Sequence, residues 1–276
     1  MNTTLILNNV PVNCQLGLDL QFFSATPNFK GIKLIPSGIH VLHWTPDSAE
    51  ESSSLRMAVF FTAADDSVIR MDWNDDTEEF TLLNDSSDLD IMTYSHLLKY
   101  PPSDPPFSSL ISHLTPSRLS TILPDAPTTL SSITPSSADS LLLPSSTDTD
   151  ALRFLTFDVR KQPTWPPGTT GRDLTLAALD HTWFLDDLLR RDGTGEYVAV
   201  LAEMQLTFVL VTVLANYSAA EQWKRLLELL ATCKAAVASH TQIYIDLLDM
   251  LHTQFTCIPD LYFTDLLGPS FIRTQL

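Results

Sequence analysis

The spacing of apolar residues changes once along this chain, and the change dictates two kinds of structure. Up to about residue 83 they come in short runs: Thr3–Leu7, Val12–Leu20, Ile32–Ile35, Ile39–Trp44, Leu55–Thr62, Val68–Trp73 and Glu79–Leu83. Turn-forming residues separate them, which predicts strands of a sandwich or curled sheet. In the last third the spacing is helical. Trp223, Leu226, Leu227 and Leu230 fall at i, i+3, i+4 and i+7, one face of a helix. Ile243, Leu247, Leu251 and Gln254 trace a second face. The fold class is therefore α+β and multidomain, a β-rich, sandwich-like N-terminal domain followed by an α-helical one.

The material between the two differs from both. PDAPTTLSSITPSSADSLLLPSSTDTD, residues 124–150, is rich in Ser, Thr and Pro and holds no Lys or Arg. Such composition reads as a flexible linker. The domains expected are residues 1–123, β-rich with short helices over Asp88–Tyr100, Phe107–Leu114 and Ser117–Leu123; the linker 124–150; and a helical domain, 151–276. The last begins with a short strand, Leu152–Val159, and continues as a bundle or solenoid-like stack of about five helices from Arg172–Arg191 and Glu196–Asn216 onward. Ser218-Ala-Ala-Glu221 and Ser239-His-Thr-Gln242 have the spacing of capping boxes. Pro259 ends one helix and opens another.

Within the β-rich part, NFKGIKLIPSGIHVLHW (residues 28–44) places Pro36-Ser37-Gly38 between two apolar runs, in a chain with only 8 glycines. Pro presets φ and Gly takes positive φ, so the stretch reads as a hairpin-like unit. His40 and His43 are three apart, so along a strand they point to opposite faces, which suits ordinary sheet histidines better than a shared metal.

Charge narrows the function. With 16 Lys and Arg against 33 Asp and Glu the formal net charge is −17. Nucleic acid is bound through cations that displace counterions, so direct nucleic-acid binding is not the expected activity. An acidic surface favours basic protein partners. The start, MNTTLILNNV, has no basic n-region, and Val198–Ala215 carries Glu203 and Gln205, so neither a secretory leader nor a membrane span is expected. Cys14, Cys233 and Cys257 are few and scattered, which fits a reducing compartment without structural zinc. The run Asp72–Glu79 begins like a calcium loop but has Thr77 at the sixth position and Leu83 at the twelfth. No nucleophile elbow, P-loop, zinc-protease or dinucleotide motif is present, so no catalysis, cofactor or metal is expected. Trp223 either opens a core stripe or anchors an interface, and its periodicity favours the core. Lys224 and Arg225 read as a solvated helix face.

Two stretches resemble a known family. GLDLQFF followed by NFKGIKLIPSGIHVLHW carries Gly17, Asp19, Phe29, Gly31, Lys33, Pro36, Gly38 and His40 in the pattern of the N-terminal signature of the Aar-two (AAR2) family of splicing factors. AEMQLTFVLVTVLANYSAAEQWKRLLELL is similar to a second family stretch, with Glu203, Gln205, Phe208, Asn216, Tyr217, Trp223, Lys224 and Arg225 in place. The match continues through Ile258 and Pro259, and Ala202 stands where the family has Gly. The resemblance implies a VHS-like helical domain and no catalysis. It implies a monomer, cytoplasmic and nuclear, that binds the RNase H-like domain of the large U5 scaffold protein, delays helicase loading and is released with phosphorylation. Ser239 and Thr241 are the candidate phosphosites. In the family a C-terminal tail also reaches the Jab/MPN domain, and relatives continue past the last matched helix, so this chain is expected to bind the RNase H-like domain without joining it to the Jab/MPN domain. A trafficking adaptor that reads peptides or ubiquitin is the alternative a VHS-like domain allows.

Overall fold

The computed structural model describes residues 2–12, 14–46, 55–83, 91–123, 129–140, 151–154, 165, 168–191 and 197–257. By its contacts the chain divides into two compact units, one of residues 1–108, 123–134 and 213–216, the other of residues 109–122, 135–212 and 217–276.

The first unit is built from two five-stranded sheets. One has the order β8 (Glu79–Leu83), β7 (Val68–Asn74), β1 (Thr3–Asn8), β4 (Gly31–Ile35) and β9 (Leu98–Lys99). The other runs β10 (Leu130–Ser131), β6 (Met57–Ala63), β5 (Gly38–Thr45), β2 (Gln15–Leu18) and β3 (Gln21–Ser24), antiparallel throughout. Leu5, Leu7, Ile32, Met71 and Trp73 of the first sheet share one buried cluster with Leu16, Leu18, Leu42, Trp44 and Val59 of the second. Trp44 meets Trp73 and Phe80 edge-on at 6.5 and 5.0 Å. Such pairs add to area burial because ring edges and faces carry opposite partial charge. The sandwich expectation holds.

Its wiring differs from the sequence reading. β4 and β5 flank Pro36-Ser37 but belong to different sheets, so this segment is an arch between sheets and not a hairpin. Turn chemistry fixes local φ and leaves the pairing partner open. β4 pairs with β1 instead, and Gly31, at φ +136°, is what lets it do so: a Cβ there would lie 2.0 Å from the Leu5 carbonyl. Val12–Leu20 is not one strand either. Asp19, at φ +57°, turns the chain after β2 and sends Gln21–Ser24 back as β3. α1 spans Ile91–His96; Leu98–Lys99 leaves the predicted helix and joins β4 as β9, and residues 88–90 lie outside the described residues.

Residues 129–140 lie inside the stretch read as a linker, and they are folded. Leu130, 2 % exposed, and Ser131 pair with Ala58 and Met57. Ser137–Ser140 forms the short α4. One apolar residue in a polar tract is enough to close a sheet edge. Residues 124–128 and 141–150 lie outside the described residues.

The second unit is helical. α2 (Phe107–Leu110) spans the boundary at residues 108 and 109, and α3 (Pro116–Ile122) follows, with Pro116 beginning it as predicted. The long stretch Arg172–Arg191 is two helices, α5 (Arg172–Leu179) and α6 (Thr182–Arg191). The break comes at Asp180, whose carboxylate accepts from the Thr182 N–H at 3.0 Å and its hydroxyl at 2.6 Å. α7 (Val198–Leu214), α8 (Tyr217–Thr232), α9 (Ala236–Ser239) and α10 (Thr241–Cys257) complete the described helices. Neither predicted capping box forms. Ser218 lies within α8 and donates to Asp139 at 2.6 Å, while Ser239 and Thr241 bond back to the Ala235 and Val237 carbonyls. The short α9, unseen in the sequence, claims those hydroxyls. The helix expected from Pro259, and most of the strand expected at Leu152–Val159, fall outside the described residues.

Candidate functional site

Most of the motif residues singled out in the sequence turn inward. Asp19 is the hub of the N-terminal set, and its carboxylate is 1 % exposed. Oδ2 accepts from the Tyr100 hydroxyl at 2.6 Å and pairs with His40 Nδ1 at 2.8 Å; Oδ1 accepts from the Val41 N–H at 3.0 Å. His40 Nε2 lies 2.9 Å from the Pro36 carbonyl. A carboxylate and a carbonyl can only accept, so each is matched when the ring nitrogen facing it carries a proton. Burial, then the Asp19 charge, pushes the Tyr100 phenol above the usual tyrosine range.

His43 sits on the opposite face of β5, as the spacing predicts. Its Nε2–H donates to the Asp19 carbonyl at 3.1 Å, and burial holds its pKa down at about 4. The ring occupies the space over Gly17, where a Cβ would lie 1.8 Å from it. Gly17 is glycine because His43 is there. Phe29 packs beside Phe23 in the core, and Lys33 donates to the Tyr94 carbonyl at 2.7 Å with its ammonium over the Tyr94 ring. Gly38, at φ +137°, meets no side chain and serves the backbone corner alone.

The helical set is wired the same way. α7 is buried along nearly its whole length, so its polar groups need internal partners. Gln222 donates to the Glu203 carboxylate at 2.7 Å. Gln205 accepts from the His113 N–H at 2.8 Å and donates to Ser112 at 3.0 Å. Trp223, 4 % exposed, lies 6.4 Å from the Phe208 ring and donates to Gln254 at 3.2 Å. Trp223 is therefore core. The Asn216 amide donates to the Ser131 and Thr134 carbonyls, both at 2.9 Å. Arg225 pairs with Glu228 at 3.2 Å on the outer face of α8, where Lys224 is half-buried; exposed pairs of this kind contribute little. Ser239 and Thr241 are exposed, and Pro259 lies outside the described residues.

Several of the groups that chemistry could use are buried and internally engaged. Asp19, His40 and Tyr100 look like a relay, but both nitrogens of His40 are engaged inside the sheet unit. Burial pushes the Cys14 thiol up to about 11 and the Cys233 thiol up to about 12, far from the reactive thiolate range. Among the described residues no group of His, Cys, Asp or Glu is placed to hold a metal ion, and no helix is long and apolar enough to cross a membrane. Several large apolar side chains are exposed. Phe22 on the edge strand β3 and Ile133 at a turn tip stand out in solvent, and sequence reading missed both. Neither carries a motif signal stronger than a large apolar residue beside polar neighbours.

The described residues thus form an α+β protein of two units, one of two sheets and one of helices, in which most of the motif residues serve internal packing and hydrogen bonding. Residues 1–124 match the model of the AAR2 N-terminal domain and residues 154–276 that of the AAR2 C-terminal repeat region. The chain belongs to the AAR2 family. It is 27 % identical over 276 residues to the Protein AAR2 homolog of Oryctolagus cuniculus, covering 99 % of this chain and 77 % of that protein. The Protein AAR2 homolog of Homo sapiens is 24 % identical over 307 residues, with 99 % and 80 % covered. The Protein AAR2 homolog of Caenorhabditis elegans is 29 % identical over 112 residues, 40 % of this chain and 30 % of that protein.

Proposed function

We propose that this chain is an assembly factor for the U5 small nuclear ribonucleoprotein. It binds the RNase H-like domain of the large U5 scaffold protein in a precursor particle and delays loading of the helicase. It works as a binding protein in cytoplasm and nucleus, without catalysis, cofactor or direct contact to nucleic acid. The observation that carries this reading is the match of both family domains, in order, along nearly the whole chain. The net charge of −17 supports a protein partner over a nucleic acid. Phosphorylation at the exposed Ser239 or Thr241 is the proposed release signal. Either phosphate would lie at the α9–α10 junction, where His240 pairs with Asp186 at 2.9 Å, and would compete for that imidazole.

Affinity purification of the chain from cells, read by mass spectrometry, tests the reading. The large U5 scaffold protein should be captured. Its absence, with endosomal cargo in its place, would favour the adaptor alternative.

A further inference from the structure

Exposed apolar residues are ordinary on protein surfaces, but two in the sheet unit are held rather than loose. Phe22 is 57 % exposed and Ile133 74 %. Ile133 occupies the turn Ser131–Thr134, which closes through Thr134 N–H to the Ser131 carbonyl at 3.1 Å and Ser131 N–H to the Thr134 hydroxyl at 2.8 Å. The Asn216 amide pins the same turn at both of its end carbonyls. On the other side, the Arg56 guanidinium lies 5.2 Å from the Phe22 ring centre, and His43 meets that ring edge-on at 4.7 Å. Arg56 Nη1 also donates to the Val213 carbonyl at 3.1 Å. Val213 and Asn216 are three residues apart, on either side of the end of α7 at Leu214. The segment Val213–Asn216 thus ties Phe22, through Arg56, and Ile133, through the pinned turn, into one connected frame.

We propose that Phe22, Arg56 and Ile133 form the surface by which this chain grips its protein partner; resting on the function proposed above, that partner face belongs to the RNase H-like domain. The chemistry selects a protein. Aromatic and Arg side chains are the usual hot-spot residues of protein interfaces. A turn already fixed by hydrogen bonds loses little freedom on docking. A lipid surface or a nucleic acid would call for a cluster of cations, and of these three residues only Arg56 is a cation, on a chain of net charge −17. Charge complementarity then describes the partner's side: apolar sockets for Phe22 and Ile133, a carboxylate facing Arg56, and a basic rim facing the acidic remainder.

Titration calorimetry of residues 1–276 with the purified RNase H-like domain tests this. Phe22→Ala and Ile133→Ala should each weaken binding by about ten-fold or more, and the pair by about a hundred-fold. Leu248→Ala, an exposed leucine of α10, should leave it unchanged, and thermal melts should confirm that each variant is folded. In the unsubstituted complex, which needs no variant, amide exchange should slow at residues 21–24 and 131–134. Affinity within two-fold of the parent for the double variant, or unchanged exchange at both segments, would overturn the surface while leaving the partner intact. Failure of the parent chain to bind that domain would overturn the partner, and this proposal with it.

Discussion

Asp19 sits where three demands meet: a turn at φ +57°, a buried charge, and three donors around it. A buried carboxylate is tolerable only when its oxygens are matched, and removing one donor leaves the charge under-satisfied. Tyr100→Phe deletes the 2.6 Å bond and nothing else, so it should lower unfolding free energy by about 1.5–3 kcal/mol. A denaturant titration with an unchanged midpoint would show that Tyr100 merely touches the site. His43 gives a pH prediction. Burial lowers its pKa from 6.5 to about 4 in the folded chain. Between those two values the unfolded chain binds the proton that the folded chain refuses, so stability rises with pH through that window. The contribution is complete above pH 6.5 and is lost as pH falls toward 4, by about 3 kcal/mol in all. An NMR titration should find the His43 ring still neutral at pH 5.5; a midpoint near 6.5 would refute the assignment.

At the scale of elements, one helix end carries backbone strain. α7 ends at Leu214, and the next residue, Ala215, is exposed at φ +54°, a conformation that costs a β-carbon about 1–2 kcal/mol. Glycine is the usual residue after a helix end for this reason. Ala215→Gly should stabilise the chain by up to about 1 kcal/mol once the extra freedom glycine gains in the unfolded state is deducted. A lower melting temperature would mean that the alanine methyl makes a packing contribution. The elements themselves were largely legible. Periodicity found α8 and its buried face at Trp223, Leu226 and Leu230, because a helix repeats its environment every turn. Pairings and caps were less so. Pro36-Ser37-Gly38 is compatible with a hairpin or an arch, and only the Gly31 approach to Leu5 decides between them. Ser218 has the spacing of a cap, yet Asp139, far away in sequence, takes its hydroxyl. The candidate site was the least legible part: the Gly17–His43 fit, the Asp19 cluster and the frame holding Ile133 all join residues that no local window contains.

Across the whole molecule, attraction over distance and grip at contact are separate properties. The excess of 33 acidic over 16 basic residues makes a field that acts before contact, attracts a basic rim and raises the rate of encounter. Salt screens such a field beyond roughly 10 Å at 0.1 M. Phe22 and Ile133, by contrast, act only once seated, and apolar contacts of that kind govern how slowly a complex comes apart. The two contributions should therefore separate in surface-plasmon kinetics with the RNase H-like domain. Raising salt from about 0.05 to 0.5 M should slow association by about ten-fold or more and leave dissociation nearly unchanged. Ile133→Ala should do the reverse, speeding dissociation about ten-fold at every salt concentration while association stays within about two-fold of the parent. Salt-independent association would mean that the acidic field plays no part in recognition and serves solubility alone. A substitution at Ile133 that slowed association instead would place that residue in the encounter step, and the rigid turn that presents it would then guide docking rather than hold the docked state.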